Sequence, residues 1–168
     1  MAWSGIGMLP VPVYYALFAA CGLYVFLKGG TPEKVGTVIL AIGSVLSVAA
    51  VSTPASRFGA VEVGVLLVDV VTLFAFLALA LRAERYWPLC VTALQAIGTA
   101  GHAAKLLDPG VIRSAYAIVL SLWGYLMLFL IVLGTWNHQR RLARFGVDKS
   151  WSSSSSRSET RPPSGPIG

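Results

Sequence analysis

Long hydrophobic runs separated by short polar segments dominate the first 137 positions of the chain. Five runs are predicted as helices, at residues 9–27, 35–51, 61–81, 87–107 and 114–137. The third and fourth runs each hold 21 residues. That length gives roughly 31 Å of α-helix and suits a bilayer core of about 30 Å. The pattern predicts an all-α integral membrane protein, a bundle of about five transmembrane helices.

The polar segments contain the residues that end and begin helices. Residues 28–34 hold two glycines and a proline and predict a turn, with Thr31 as the cap of the second helix. Trp87 begins the fourth helix, where it is predicted to lie at the membrane interface. Residues 108–110, Asp-Pro-Gly, end that helix.

The composition changes abruptly near the C-terminus. Residues 1–148 are predicted to form the multi-pass helical domain, whose last helix continues into a basic segment lying against lipid head groups. Residues 149–168 include five consecutive serines and three prolines. They cannot bury enough apolar surface to offset the entropy of ordering, so they predict a disordered cytoplasmic tail.

Composition supports a lipid environment. Hydrophobic residues make up 56% of the chain and charged residues only 12%, about half the usual charged fraction. The net charge of +6 does not indicate nucleic acid, because the basic residues lie in loops and the tail. Contact with anionic membrane lipids is expected instead. Cys21 and Cys90 lie inside apolar runs without a CxxC or Cys/His pattern, so neither a disulfide framework nor a metal site is predicted.

The distribution of positive charge predicts the orientation. With five spans, ten of the 13 Lys and Arg residues fall on one side, including Arg82, Arg85 and the six of the C-terminal segment. The other side holds Arg57, Lys105 and Arg113. The positive-inside rule therefore predicts a cytoplasmic-membrane protein with its N-terminus outside and its C-terminus in the cytoplasm. The first 27 residues contain no Lys or Arg, so a retained first helix is expected rather than a signal peptide.

The second helix carries a stripe of small residues at helical spacing: Gly36, Gly43, Ser47 and Ala50. Such a face lets another helix approach closely. It suits either a dimer interface or packing within the chain, and packing within the chain is favoured.

Polar residues interrupt the third and fourth runs. Counting from the turn that joins them places Asp69 level with Thr99, with His102 one turn further on. Gln95 and His102 share a face because a seven-residue step returns to nearly the same direction. An ionised group at mid-bilayer costs roughly 3 kcal/mol, so Asp69 is expected to be neutral, paired or facing water.

Two interpretations of this polar hairpin remain open. It forms either a proton, ion or ligand site, made by Asp69, His102, Gln95 and Thr99, or a set of structural hydrogen bonds. Glu62 and Lys105 are predicted to form an ion pair nearer the outer surface.

Three classes of function follow. The leading hypothesis is a non-enzymatic accessory or assembly subunit, acting as a homo-oligomer or within a larger membrane complex. The alternative is a small transporter, channel or proton-path component, including a holin-like pore, built on the polar hairpin. A membrane enzyme is least favoured, since the chain has no phosphate loop, HExxH or GxSxG motif. No catalytic residue, cofactor or nucleic-acid partner is predicted.

Overall fold

The described part of the chain contains five α-helices in succession. A computed structural model describes residues 11–50, 63–107, 113–148 and 151. Within these ranges the helices are α1 (Val11–Lys28), α2 (Thr31–Ala50), α3 (Val63–Arg82), α4 (Trp87–Leu107) and α5 (Arg113–Phe145), and the described residues form no β-strand. The all-helical fold predicted from the sequence is confirmed.

Local sequence sets the helix ends. The Gly29 amide donates to the Val25 carbonyl at the end of α1, and the Lys34 amide donates to the Gly30 carbonyl at the start of α2. Pro32 lies in the first turn of α2, where a missing amide hydrogen costs little. At the end of α5, Gly146 adopts the left-handed φ of 70° that commonly ends a helix.

The helices close into one bundle. Each helix packs against the next one along the chain, and α5 returns to contact both α1 and α2. The core lies where these helices converge. Its most fully buried apolar side chains come from four helices: Val25, Phe76, Val91 and Ile131.

A large aromatic side chain is buried where four helix ends meet. We name this end of the bundle the turn end; α1 and α3 finish there, and α2 and α4 begin there. Trp87 is only 8% exposed, so its ring packs between the helices rather than on the outer surface of the bundle. Its predicted position at the membrane interface stays a prediction. A Cβ atom at Gly36 or at Gly134 would lie 2.6 Å from its ring. The two glycines therefore make the space that the indole fills.

The small-residue stripe of α2 packs within the chain. Gly36 faces Trp87, and a Cβ atom at Gly43 would lie 2.9 Å from the Thr72 hydroxyl. Ala50 lies against Gly64 of α3. The favoured interpretation of the stripe is confirmed at these three positions.

The last helix continues beyond its apolar run into the basic segment, as the sequence predicted. It continues eight residues past position 137, because residues 138–145 keep the α-helical hydrogen bonding until Gly146. Trp151 falls in the segment predicted to be disordered, yet it forms an antiparallel bridge with Ala83. The rest of that segment lies outside the described residues.

Two of the described helices, α2 and α3, are long and apolar enough to cross a membrane. The α1 helix is also apolar, but its apolar length, residues 12–28, is shorter. The described residues thus establish five helices but not five membrane spans.

Candidate functional site

Asp69 and His102 lie side by side between α3 and α4. His102 Nε2 is 3.1 Å from Asp69 Oδ2. Gln95 Nε2 donates to Asp69 Oδ1 and to the Asp69 carbonyl oxygen, both at 3.3 Å. We call these three residues the Asp69 cluster. The structure therefore brings together three of the four residues that the sequence singled out in the polar hairpin.

The fourth residue bonds elsewhere. The Thr99 hydroxyl donates to the Gln95 carbonyl at 2.8 Å, within its own helix. Next to Thr99 in the chain, Gly98 lies against Trp123 of α5. Thr99 is therefore a buried neighbour of the Asp69 cluster, and its hydroxyl does not bond to the carboxylate.

The predicted Glu62–Lys105 ion pair stays a prediction. Glu62 lies outside the described residues, and so does the side chain of Lys105.

The Asp69 cluster has limited chemistry. A carboxyl group beside an imidazole can share or exchange a proton, and the Gln95 amide fixes the orientation of the carboxyl group. Acid–base catalysis would also need a group that stabilises developing charge on a substrate. Within the part of the chain that the structure describes, no group of three or more His, Cys, Asp and Glu side chains is arranged to hold a metal ion.

A second and larger polar cluster occupies the turn end. Arg85, from the α3–α4 turn, places Nη1 3.2 Å from Glu33 Oε1. The Trp87 indole donates to the same Glu33 oxygen at 2.9 Å. The side chain of Arg85 is 1% exposed and that of Glu33 is fully buried. The α3–α4 turn is thus joined to the start of α2 by a buried ion pair.

The other side of Arg85 faces Asp148, just beyond α5. Arg85 Nη2 lies 2.8 Å from Asp148 Oδ2, and His138 Nδ1 lies 2.5 Å from that oxygen. Arg141 Nε donates to the other carboxylate oxygen, Oδ1, at 2.9 Å. We call Glu33, Arg85, Trp87, His138, Arg141 and Asp148 the Arg85 cluster.

Charges in the Arg85 cluster balance when His138 is neutral. Two carboxylates, Glu33 and Asp148, then face two guanidinium groups. Burial alone would raise the pKa of Asp148. Hydrogen bonds from His138 and Arg141, with the charges of Arg85 and Arg141, outweigh burial and hold that pKa below its ordinary value of 3.8.

Not every polar atom of the Arg85 cluster has a hydrogen-bond partner among the described residues. Glu33 Oε2 and Arg85 Nε and Nη1 are buried without a hydrogen-bond partner among the described residues. These atoms retain charge partners, but their hydrogen-bonding capacity is not filled. That makes the cluster costly to disturb, because any lost partner leaves a further buried charge unmet.

Sequence reasoning assigned Arg85 to a loop, as a signal of membrane orientation, and treated Glu33 as part of a turn. Both are buried because the α3–α4 turn and the start of α2 meet α5. One local signal was present: Glu33, Arg85 and Asp148 each lie within a few residues of a helix end, so they reach the same end of an up-and-down bundle. No pattern within one segment indicates that they meet.

No family model matches the chain, and no curated protein and no solved structure matches it either. The features of the chain that bear on function are therefore the two clusters and the surface of the bundle.

Proposed function

We propose that this chain is a multi-pass protein of the cytoplasmic membrane, a non-enzymatic accessory or assembly subunit that acts as a homo-oligomer or within a larger membrane complex. Its five helices span the lipid with the N-terminus outside and the C-terminus in the cytoplasm. One observation carries the proposal: large apolar side chains cover the outside of the bundle, while charged side chains are buried within it.

Every helix displays such apolar side chains. Representative residues are 57–65% exposed, one from each helix in turn: Leu23, Val45, Phe74, Ile97 and Phe129. In α2 and α3 only 28% and 22% of the apolar stretch is buried inside the chain. A core helix of a soluble protein would be mostly buried, so these faces fit lipid or neighbouring membrane helices.

A groove on this surface is equally apolar. It has a volume of about 230 Å³ between α2 and α3, and Ile42, Leu46 and Val71 are among its lining residues. The Thr72 hydroxyl at its side donates to the Val68 carbonyl, so it is already satisfied. Acyl chains suit this groove better than a polar substrate.

The turn end suits the cytoplasmic interface. Tyr86 is 88% exposed there, and Trp136 is 50% exposed on α5. The Arg140 guanidinium carbon lies 4.8 Å from the centre of the Trp136 ring. Aromatic and basic side chains at one level are typical of the boundary between lipid and cytoplasm. At 33 residues, or about 50 Å, α5 also exceeds a bilayer core and reaches past this boundary.

The polar clusters favour a structural role over conduction. Asp69 is met by His102 and Gln95, and the Arg85 cluster joins three helices and the C-terminal segment. Along α3 the two clusters are separated by buried Phe76 and Leu79. That apolar layer offers protons no hydrogen-bonded relay from one cluster to the other.

A second candidate function rests on the Asp69–His102 contact. A buried carboxyl–imidazole pair is the arrangement that a proton or ion path would use. In this alternative the protein is a small transporter, channel or proton-path component, and the apolar layer opens during the cycle.

The membrane topology is tested with single cysteines in a Cys21→Ser, Cys90→Ser background. A cysteine at Ser56 should react with an impermeant thiol reagent added to sealed cells, and a cysteine at Glu84 should not. Labelling of the Glu84 position from outside would refute the orientation. Release of the chain by carbonate washing of the membranes would refute membrane integration.

The accessory role is tested by extracting the tagged full chain directly into lipid nanodiscs and weighing the particles by native mass spectrometry. A defined oligomer or a stoichiometric larger partner supports the proposal. A lone monomer that carries a proton or ion flux after reconstitution into vesicles supports the alternative instead.

A further inference from the structure

The chain does not leave the bundle where α5 ends. Gly146 turns the backbone with its positive φ, and Asp148 then reaches back to Arg85. Three positions later, Trp151 pairs with Ala83, which lies beside the same turn. The described residues beyond α5 thus contact the turn end at two points, Asp148 and Trp151. We call these contacts the two anchors.

The first anchor is a well-defined site for a carboxylate. Both oxygens of Asp148 are engaged, Oδ2 by Arg85 and His138 and Oδ1 by Arg141. The donors come from two separate parts of the chain, the α3–α4 turn and α5. The Asp148 side chain is 8% exposed, so the carboxylate has exchanged water for these donors.

We propose that Arg85, His138 and Arg141 form a carboxylate-binding site, and that the residues just beyond α5 (146–148) form a strap that occupies this site through Asp148. While Asp148 is bound the strap is closed, and the Asp148 carboxylate balances the charge of the Arg85 cluster. Opening the strap withdraws one negative charge, so the cluster gains one net positive charge and becomes a site for an anion. The proposal does not depend on the membrane orientation or on a partner, because every group in it belongs to this chain.

Protease sensitivity measures how often the strap opens. The Lys149–Ser150 bond lies between the two anchors, and a lysine-specific protease that cuts it releases residues 150–168. When opening is fast compared with cutting, the cleavage rate follows the open population. The full chain, purified in mild detergent, is compared with Asp148→Asn and with Arg144→Gln, which removes an exposed charge nearby.

Asparagine keeps the shape of Asp148 but loses the charge-assisted bonds. We expect release of 150–168 to accelerate about tenfold or more in Asp148→Asn, and to match the unchanged chain in Arg144→Gln. Cleavage after Lys28, which is exposed at the end of α1, reports unfolding of the bundle. Equal release from all three proteins would overturn the proposal. A parallel rise at Lys28 in Asp148→Asn would also overturn it.

The second anchor is tested by cross-linking. Paired residues of an antiparallel bridge have Cα atoms about 4.5–5.5 Å apart, within the range of a disulfide. In the Cys21→Ser, Cys90→Ser background, Ala83→Cys with Trp151→Cys should form a disulfide under mild oxidation. Adding Asp148→Asn should slow its formation. If the two cysteines do not cross-link while the bundle stays folded, the proposal of a strap held across the turn end is wrong.

Discussion

Replacing Arg85 by methionine tests the Arg85 cluster most directly. Methionine keeps a long, flexible side chain but removes the guanidinium group that lies between two carboxylates. Glu33 Oε1 is 3.2 Å from one of its nitrogens and Asp148 Oδ2 is 2.8 Å from another. The substitution therefore leaves the fully buried Glu33 carboxylate without a cation.

The expected loss can be worked from these contacts. A hydrogen bond to a charged group contributes about 1.5–3 kcal/mol, so the two interactions together amount to about 3–6 kcal/mol. Asp148 keeps Arg141 and His138, which limits the damage on its side. Breaking one partner of a buried ion pair costs about 3–5 kcal/mol. We expect Arg85→Met to lower the free energy of unfolding by about 4 kcal/mol.

The assay is an SDS titration in mixed micelles followed by far-ultraviolet circular dichroism. Glu33→Gln and the double variant complete a cycle with Arg85→Met. In the double variant the glutamine has no charge and can still accept from the Trp87 indole. The double variant should therefore lose at least about 1 kcal/mol less than the sum of the losses in the two single variants.

Arg144→Gln is the matched control for loss of a positive charge. Arg144 is exposed near the same end of α5, so this change should stay within about 0.5 kcal/mol. If Arg85→Met lowers the free energy of unfolding no more than Arg144→Gln does, the buried ion pair of Arg85 and Glu33 does not stabilise the protein. The Arg85 cluster would then not hold the turn end together.

Three further predictions follow from close packing, from the Asp69 cluster and from acid sensitivity. Gly36→Ala should lower the free energy of unfolding by about 1–3 kcal/mol, because its new methyl group meets the buried indole. Gly101→Ala is the control, because a Cβ atom there meets open space; it should be neutral or stabilising by up to about 1 kcal/mol. If the two substitutions change the free energy of unfolding equally, Gly36 does not pack against the Trp87 ring as described. Asp69→Asn should keep both stability and cellular phenotype if the pair is structural, whereas Asp69→Leu should cost about 1 kcal/mol, partly recovered by adding His102→Leu. Loss of phenotype or flux in a fully stable Asp69→Asn would favour the proton-path alternative. Because the folded pKa of Asp148 is depressed, its stabilisation is present above an unfolded pKa of about 3.9. This stabilisation is lost as the pH falls through the lower pKa of the folded state. Between these two pKa values the free energy of unfolding of Asp148→Asn should therefore change less with pH than that of the unchanged chain, as measured by acid unfolding.

Local periodicity was enough to predict the helices and one of the two clusters. The α4 helix begins at Trp87 and ends at Leu107 as predicted, since a proline follows its first residue and Asp-Pro-Gly follows its last. Asp69 and His102 could be placed at similar depth because helix rise and rotation are fixed numbers and the joining turn is short. For two helices joined by a short turn, the number of residues from the turn gives the distance of each side chain along the helix axis.

The contacts at the turn end could not be predicted in this way, because they join residues that are far apart in the chain. Arg85 and His138 are 53 positions apart in the chain, and Trp87 and Glu33 are 54 apart. Whether such residues meet depends on which helices become neighbours, and that depends on shape, such as the space that two glycines leave for an indole. The residue pattern alone predicts that a few charged groups lie near the helix ends of an apolar bundle. The packing of α5 against α2 and α4 turned those groups from solvated loop charges into a buried cluster, because it removed water and brought the opposite charges together.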